Sequence, residues 1–320
     1  CPAPASLRIC TLLRRVARAP ASLTTVRDRP CMQGLFGSAR SPLARYTTHM
    51  RLLISNDDGI YAPGVLSLAN ALAETGQHQL TVICPDRERS ATGHALTLHK
   101  PLRVEQVQAP YHQSIAAWAC SGTPADCIKL GLDGMLSDCR PDWVIAGINR
   151  GANLGTDVLY SGTVSAAMEG LMVGLPSMAV SLASSNTTDF QAAAHFVCQW
   201  LETCRDRPFP GPALLNVNVP PVPTADICGV VAAPLGMRHY TETFEKRVDP
   251  RGKTYYWIAG EAIDTHAAPE SDIAAIRDNY ITVTPLGFNL TAGAELPKLA
   301  DWGMSAYVPA QPKPALTREA

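Results

Sequence analysis

Two adjacent carboxylates, Asp57 and Asp58, stand at the end of the run Arg51-Leu52-Leu53-Ile54-Ser55-Asn56-Asp57-Asp58-Gly59-Ile60. The apolar residues read as a buried strand that stops abruptly and delivers an acidic tip to a turn. Neighbouring carboxylates repel each other, and without a cation they would splay into water. A pair held at the mouth of an apolar strand therefore suggests a hard divalent metal, whose ligands are oxygens. The plainer reading is a turn, because Asn, Asp and Gly commonly end strands.

A second chemical stretch is Ser161-Gly162-Thr163, which opens a helix. Its backbone N–H groups and hydroxyls could accept an anion at the positive end of the helix dipole. Asn149, Gly151 and Asn153 could add donors. A metal beside an anion cradle points to phosphate. Ordinary N-capping by Ser161 and Thr163, and a loop-closing turn amide at Asn149, are the structural alternatives. His94 is either a proton carrier in the pocket or an exposed loop histidine.

These residues need elements to position them. Leu66, Leu68, Ala69, Leu72 and Ala73 give an apolar helical face ending near Gly76, and Gln79 to Pro85 is a second strand. Strand, helix, strand in this short span is a parallel βαβ unit, with a right-handed crossover expected. Alternation over Leu96 to Val107 predicts further strand, as does Ala116 to Cys120. Ser121 to Asp126 is a capping turn before a helix through Ile128, Leu130, Leu132 and Leu136. Pro141 to Asn149 is another buried strand ending in an amide, followed by the long glycine-rich loop Arg150 to Thr163 and a helix over Val164 to Val173. Then come a strand (Ser177 to Leu182), a helix (Phe190 to Cys204), a strand (Leu214 to Val219), a short helix capped by Ser271-Asp272, and a last strand (Tyr280 to Pro285). The expected fold class is α/β: a Rossmann-like, doubly wound, mostly parallel sheet.

In such a sheet ligands bind beyond the carboxyl ends of the strands. That brings Asp57, Asp58, the Ser90 loop and Asn149 to one mouth, where two carboxylates, a hydroxyl and an amide carbonyl could hold one cation.

Residues 240–260 differ from the rest: two strand-like runs flank Asp249-Pro250-Arg251-Gly252, a protruding β-hairpin whose aromatics need cover from another subunit. The residues from Val308 onward, and the tail 311–320, are expected to be loose. Residues 1–49 carry eight arginines against the single Asp28, so the remainder of the chain is acidic. An acidic body gives no electrostatic reason to expect duplex nucleic acid as a partner. The basic segment is expected to be disordered or peripheral, either a transit-type leader or upstream sequence not native to the working protein, since Met50 directly precedes the first strand. With 46% hydrophobic and 17% charged residues the chain belongs with folded globular proteins rather than disordered ones. The ten cysteines form no CxxC pair, which suggests reduced thiols and a cytoplasmic setting. No apolar run of about eighteen residues suggests a membrane span.

Five segments together carry a family resemblance. Ile54-Ser55-Asn56-Asp57-Asp58-Gly59-Ile60, Pro85-Asp86-Arg87-Glu88-Arg89-Ser90, Ser121-Gly122-Thr123-Pro124, Gly147-Ile148-Asn149-Arg150-Gly151-Ala152-Asn153-Leu154-Gly155 and Tyr160 to Gly170, in this order, closely resemble the SurE survival-protein family of nucleotidases. The resemblance implies a metal-dependent phosphomonoesterase that hydrolyses nucleoside 5′-monophosphates, with 3′-monophosphates and short polyphosphate as further substrates, by metal-activated water. It implies Mg²⁺ or Mn²⁺, one per subunit, held by Asp57, Asp58, Ser90 and Asn149. It implies Asp57, Asp58 and Asn149 in catalysis, and Asn149, Gly151, Asn153, Ser161, Gly162 and Thr163 around the phosphate. It also implies a domain over residues 50–310 that forms a homodimer or homotetramer through the 240–260 hairpin and an exchanged C-terminal segment at 270–310.

Two rivals remain. A phosphatase of haloacid dehalogenase type would use an aspartyl-phosphate, but resembles Asp-x-Asp-Gly-Thr where this chain has Asp57-Asp58 together. A receiver-like signalling domain would need an aspartate acceptor at a later strand tip, where Asn149 stands. Dinucleotide binding lacks its GxGxxG after the first strand.

Overall fold

The apolar run before the acidic pair forms β1 (Met50–Ser55). Its side chains alternate between two buried layers: Leu52 and Ile54 join one apolar cluster and Leu53 the other. A strand covered on both faces needs apolar residues along its middle, here Leu52 to Ile54, while Arg51 near its start is half-buried and pairs with Asp142 at 3.1 Å. This computed structural model describes residues 49–187, 189–206, 213–241, 243–260, 262–263 and 267–302. The basic segment up to residue 48, the end of the predicted exchange segment and the tail 311–320 lie outside the described residues.

After β1 come α1 (Pro63–Glu74), β2 (His78–Pro85), β3 (Val104–Val107), β4 (Ala116–Cys120), α2 (Pro124–Leu130) and β5 (Trp143–Arg150). They are followed by α3 (Gly162–Met172), β6 (Ser177–Leu182), α4 (Gln191–Asp206), β7 (Leu214–Val219) and β8 (Gly229–Ala232). Short β9 (His239–Tyr240) and β12 (Ala262–Ile263) pair at the root of a hairpin made by β10 (Thr243–Val248) and β11 (Thr254–Ala259). The chain then adds α5 (Asp272–Arg277), β13 (Tyr280–Leu286) and α6 (Leu296–Asp301).

The main sheet runs β3-β4-β2-β1-β5-β6-β7-β13-β8. Neighbours from β4 to β7 are all parallel, whereas β3 lies antiparallel to β4 and β13 antiparallel to β7. From β1 the order steps to β2 and β4 on one side, and from β5 to β6 and β7 on the other. The reversal between β1 and β5 opens a crevice at their carboxyl ends, the position where such sheets bind ligands. Helices cover both faces. Leu68 and Leu72 of α1 pack with Phe196 and Trp200 of α4 in one layer, and Ile128 of α2 packs with Val164 and Ala167 of α3 in the other. This is the doubly wound α/β arrangement that the alternating pattern predicts.

The structure departs from expectation at Leu96–Val107, where only Val104–Val107 joins the sheet. Upstream, Thr97 N donates to Asp126 Oδ1 at 3.0 Å and Thr123 Oγ1 donates to Ala95 O at 2.7 Å. Side chains at the start of α2 satisfy this backbone instead of a neighbouring strand.

The chain divides into two compact units, with the boundary after Leu286. The sheet belongs to the first, so residues 280–286 of the predicted exchange segment are a strand of their own chain's sheet. Over the described residues the second unit, from Gly287, contains α6. Among the described residues no helix is long and apolar enough to cross a membrane.

Candidate functional site

Beyond β1 the chain turns at Asn56-Asp57-Asp58-Gly59, and Asn56 builds the turn. Its Oδ1 accepts from Gly59 N at 3.2 Å and its Nδ2 donates to Gly59 O at 3.0 Å. Gly59 has φ +100°, and a Cβ there would lie 3.0 Å from the Arg87 carbonyl carbon, so only glycine suits the position. Two backbone bonds seat the loop after β2 on this turn: Ile60 N donates to Pro85 O at 2.9 Å, and Arg89 N donates to Asp57 O at 2.7 Å. The turn that the residue types Asn, Asp and Gly suggest is therefore present, with Asn56 closing it onto Gly59.

The two carboxylates have different surroundings. Asp57 is buried; Thr163 Oγ1 donates to its Oδ1, and the backbone N–H groups of Gly162 and Thr163 also hydrogen-bond it. Burial pushes its pKa up, against the pull of these donors. Asp58 is half-buried, and its Oδ2 accepts from Arg150 N at 3.0 Å. Its carboxyl is raised to about 6, first by burial and then by the charge of Asp57.

Asn149 sits near the end of β5, opposite Ser181 after a register shift. Its Nδ2 donates to Gly151 O at 2.8 Å, which leaves the amide oxygen as its donor atom for a cation. Ser90 is exposed on the loop after β2, and its hydroxyl donates to Glu88 Oε1 at 2.8 Å. The structure thus brings the tips of β1 and β5 together at the reversal and ties the Ser90 loop to Asp57 through Arg89. Among the described residues no group of three or more His, Cys, Asp or Glu is placed to hold a metal. A cation here would depend on the carboxylate pair supplemented by amide and hydroxyl oxygens. That donor set suits a hard ion such as Mg²⁺ or Mn²⁺, and the mutual repulsion that raises Asp58 is what such an ion would relieve.

Ser161 caps α3, accepting from Val164 N at 3.0 Å. Gly162 and Thr163 lie against Asp57, whose Oδ1 accepts from Thr163 Oγ1. Close approach explains the glycine: a Cβ at Gly162 would lie 2.8 Å from Asp57 Cβ. Gly151 N donates to Leu182 O at 3.0 Å, prolonging the β5–β6 ladder rather than facing a ligand. Asn153 is buried, with its Nδ2 on Ser181 Oγ at 2.8 Å and its backbone N on Asn218 Oδ1 at 2.8 Å. Its amide and backbone tie the loop to Ser181 of β6 and Asn218 of β7. Arg150, which the sequence reading left out, is exposed beside Asp58 with its Nε on Ser185 O at 2.8 Å. His94 pairs with the buried Glu169 of α3, Nε2 to Oε1 at 2.7 Å.

Fold and site together define a doubly wound α/β protein whose switch-point crevice holds a buried, oxygen-rich acidic centre. Residues 52–242 match the family described as Survival protein SurE, and the chain belongs to that family. It is 62% identical over 258 residues to a protein of Synechococcus sp. (strain JA-3-3Ab), covering 81% of this chain and 99% of that protein. It is 58% identical over 251 residues to one of Microcystis aeruginosa, covering 76% and 92% respectively. Both relatives are named 5′-nucleotidase SurE. Among solved structures, the SurE protein from Aquifex aeolicus is similar with a TM-score of 0.68 and 36% identity, over 79% of this chain and 99% of that one.

Proposed function

We propose that this chain is a metal-dependent phosphomonoesterase that hydrolyses nucleoside 5′-monophosphates, with 3′-monophosphates and short polyphosphate as further substrates. The names of its relatives support the nucleotide substrate. The observation that carries the chemistry is the pairing of Asp57 and Asp58 at the reversal between β1 and β5, with Asp58 raised to about 6 by burial and like charge.

On this reading Asp57, Asp58, Asn149 and Ser90 hold one Mg²⁺ or Mn²⁺ per subunit. When bound, the cation supplies Lewis acidity, making water a stronger acid and offsetting charge on phosphoryl oxygens. The protein's own part is positioning. Thr163 and the Gly162 and Thr163 amides fix Asp57, and Arg150 N fixes Asp58. On the same reading Asn149, the Ser161–Thr163 turn and the exposed Arg150 would offset the charge that develops on the phosphoryl group. Several donors already grip Asp57, which favours a fixed ligand over a free nucleophile; a phosphorylated aspartate trapped during turnover would favour the aspartyl-phosphate rival.

The reading includes a homodimer or homotetramer joined through β10 and β11, where Phe244, Tyr256, Trp257 and Ile258 are exposed. It also includes a cytoplasmic location, in keeping with the free cysteines among the described residues.

The test is phosphate release from nucleoside 5′- and 3′-monophosphates and from polyphosphate, with Mn²⁺ and again after EDTA. Release from 5′-monophosphates with Mn²⁺ and none after EDTA is expected. No release with Mn²⁺, or release indifferent to EDTA, would overturn the reading.

A further inference from the structure

We propose that Asp272 is a positioning residue for this site, whose carboxylate locks the loop between Asn149 and α3 to the segment that leads into the β10–β11 hairpin. The inference rests on the assignment of the site made above. Asp272 is completely buried. Its Oδ2 accepts from Gly155 N at 2.8 Å; its Oδ1 accepts from Gly236 N at 2.8 Å and from Ile273 N at 2.9 Å. One carboxylate therefore joins a residue 117 positions away, six beyond Asn149, to another 36 positions away that precedes the hairpin.

The two glycine backbones meet directly. Gly155 has φ +53°, and a Cβ there would stand 2.5 Å from Gly236 O; a Cβ at Gly236 would stand 2.7 Å from Ile273 Cδ1. Neither segment can carry a side chain at the junction, so the carboxylate between them sets their spacing. A second tie lies just beyond, where Asp157 Oδ2 meets Arg238 Nη1 at 2.9 Å and accepts from Tyr240 OH.

The junction bears on both halves of the site. Upstream, Asn153 O accepts from Asn216 Nδ2 at 2.8 Å and from Asn218 Nδ2 at 2.9 Å, so the loop is pinned to β7 and then to Asp272. Downstream, the short 3₁₀ turn Gly155–Leu159 leads to Ser161 and Gly162, where α3 closes on Asp57. The first anchor is confined to the sheet. Asp272 joins the loop to the segment before the hairpin through both of its carboxylate oxygens, whereas Asp157 holds Arg238 and Tyr240 through Oδ2. Helix capping does not account for it, because Ser271 already caps α5 by accepting from Ala274 N.

Asp272→Asn tests the proposal in the full chain. It preserves shape but turns an NH₂ group toward one of the amides that the carboxylate accepts. With saturating Mn²⁺ and a nucleoside 5′-monophosphate, kcat should fall about tenfold while KM changes less than about twofold, because misplacing a positioned group costs rate more than binding. Hydrogen exchange at the Gly155 and Gly236 amides should accelerate together by about tenfold or more. Ser271→Ala should lower the thermal midpoint without changing kcat, which separates positioning from loss of α5 stability. Wild-type kcat with unchanged protection at Gly155 would overturn the proposal.

Should Asp272→Asn fail to fold, exchange in the unmodified protein decides. The Gly155 and Gly236 amides should be protected to the same degree, and both should slow further when Mn²⁺ and inorganic phosphate are added. Different protection at the two amides would overturn the proposal, whatever the response to these ligands. Because exchange is read without turnover, it reports on the Asp272 junction even if the chain proves not to hydrolyse nucleotides.

Discussion

Thr163 Oγ1 donates a hydrogen bond to Asp57 Oδ1, joining residues 106 positions apart and closing the first turn of α3 onto the tip of β1. The helix does not need that hydroxyl, since Ser161 is its cap. The donor instead helps a buried carboxylate stay ionised where burial would neutralise it. Thr163→Val retains the branched shape and removes the donor. Mn²⁺ affinity and kcat/KM should both fall by about 10- to 100-fold, the usual cost of losing an outer partner of a metal ligand. Thr163→Ser should keep most of both. Titration of Mn²⁺ against phosphate release compares the three proteins.

Gly162→Ala would ordinarily favour a helix, by less than the interior value of about 1 kcal/mol because Gly162 is its first residue. Here the added Cβ lies 2.8 Å from Asp57 Cβ and 3.1 Å from Pro124 Cγ. Overpacking of this kind costs about 1–3 kcal/mol, so crowding outweighs propensity. Thermal unfolding should occur at lower temperature than in the wild type, and Mn²⁺-dependent phosphate release should fall with it. An alanine variant as stable and active as the wild type would show that α3 does not press on Asp57.

The acid response of the cation-free protein follows from Asp58, whose carboxyl lies at about 6 because of burial and the charge of Asp57. An unfolded aspartate titrates near about 4. Between these values the folded state holds a proton that the unfolded chain has lost, so this carboxyl adds stability as pH falls through the window and loses it as pH rises. In EDTA, the unfolding midpoint of the wild type relative to Asp58→Asn should therefore rise as pH falls from about 7 to about 4. Added Mn²⁺ needs the ionised carboxylate and should stabilise the wild type more at neutral pH than at acid pH. The opposite slope would contradict the placement of Asp58.

How much of this was legible in the sequence depends on how local each signal is. The runs ending at Asp57, Pro85 and Asn149 announced buried parallel strands, because a strand covered on both faces has no polar alternation to confuse with a surface. The insertion of β13 between β7 and β8 was not legible: a strand's own pattern does not name its neighbour. Leu96–Val107 alternated convincingly, yet its first half is satisfied by Thr123 and Asp126, contacts that no local periodicity encodes. At the site, residue types suggested oxygen ligands and a helix N-terminus. The sequence could not show that Thr163 reaches Asp57, since that depends on which strand tip lies against α3. Ser271-Asp272 read as a cap, but only Ser271 is one; the amides bound by Asp272 Oδ2 and Oδ1 at Gly155 and Gly236 come from distant segments.

The hairpin offers an independent check on assembly. Phe244 and Ile258 face each other across β10 and β11, and they are 66% and 85% exposed, too much apolar surface for an arm with no partner. Phe244→Lys combined with Ile258→Glu keeps a favourable cross-strand pair while removing that surface. Sedimentation should show a smaller assembly than the wild type. An unchanged mass would mean that this face is not the contact.

The most direct measurement is a Mn²⁺ binding isotherm for the wild type and Asp57→Asn, both freed of metal beforehand. One site per subunit is expected in the wild type. In the variant affinity should drop by at least about 100-fold, beyond the usual loss for an outer-shell partner, because a charged ligand is removed. Equal affinity in the two proteins would contradict the central claim that the Asp57–Asp58 pair holds the cation.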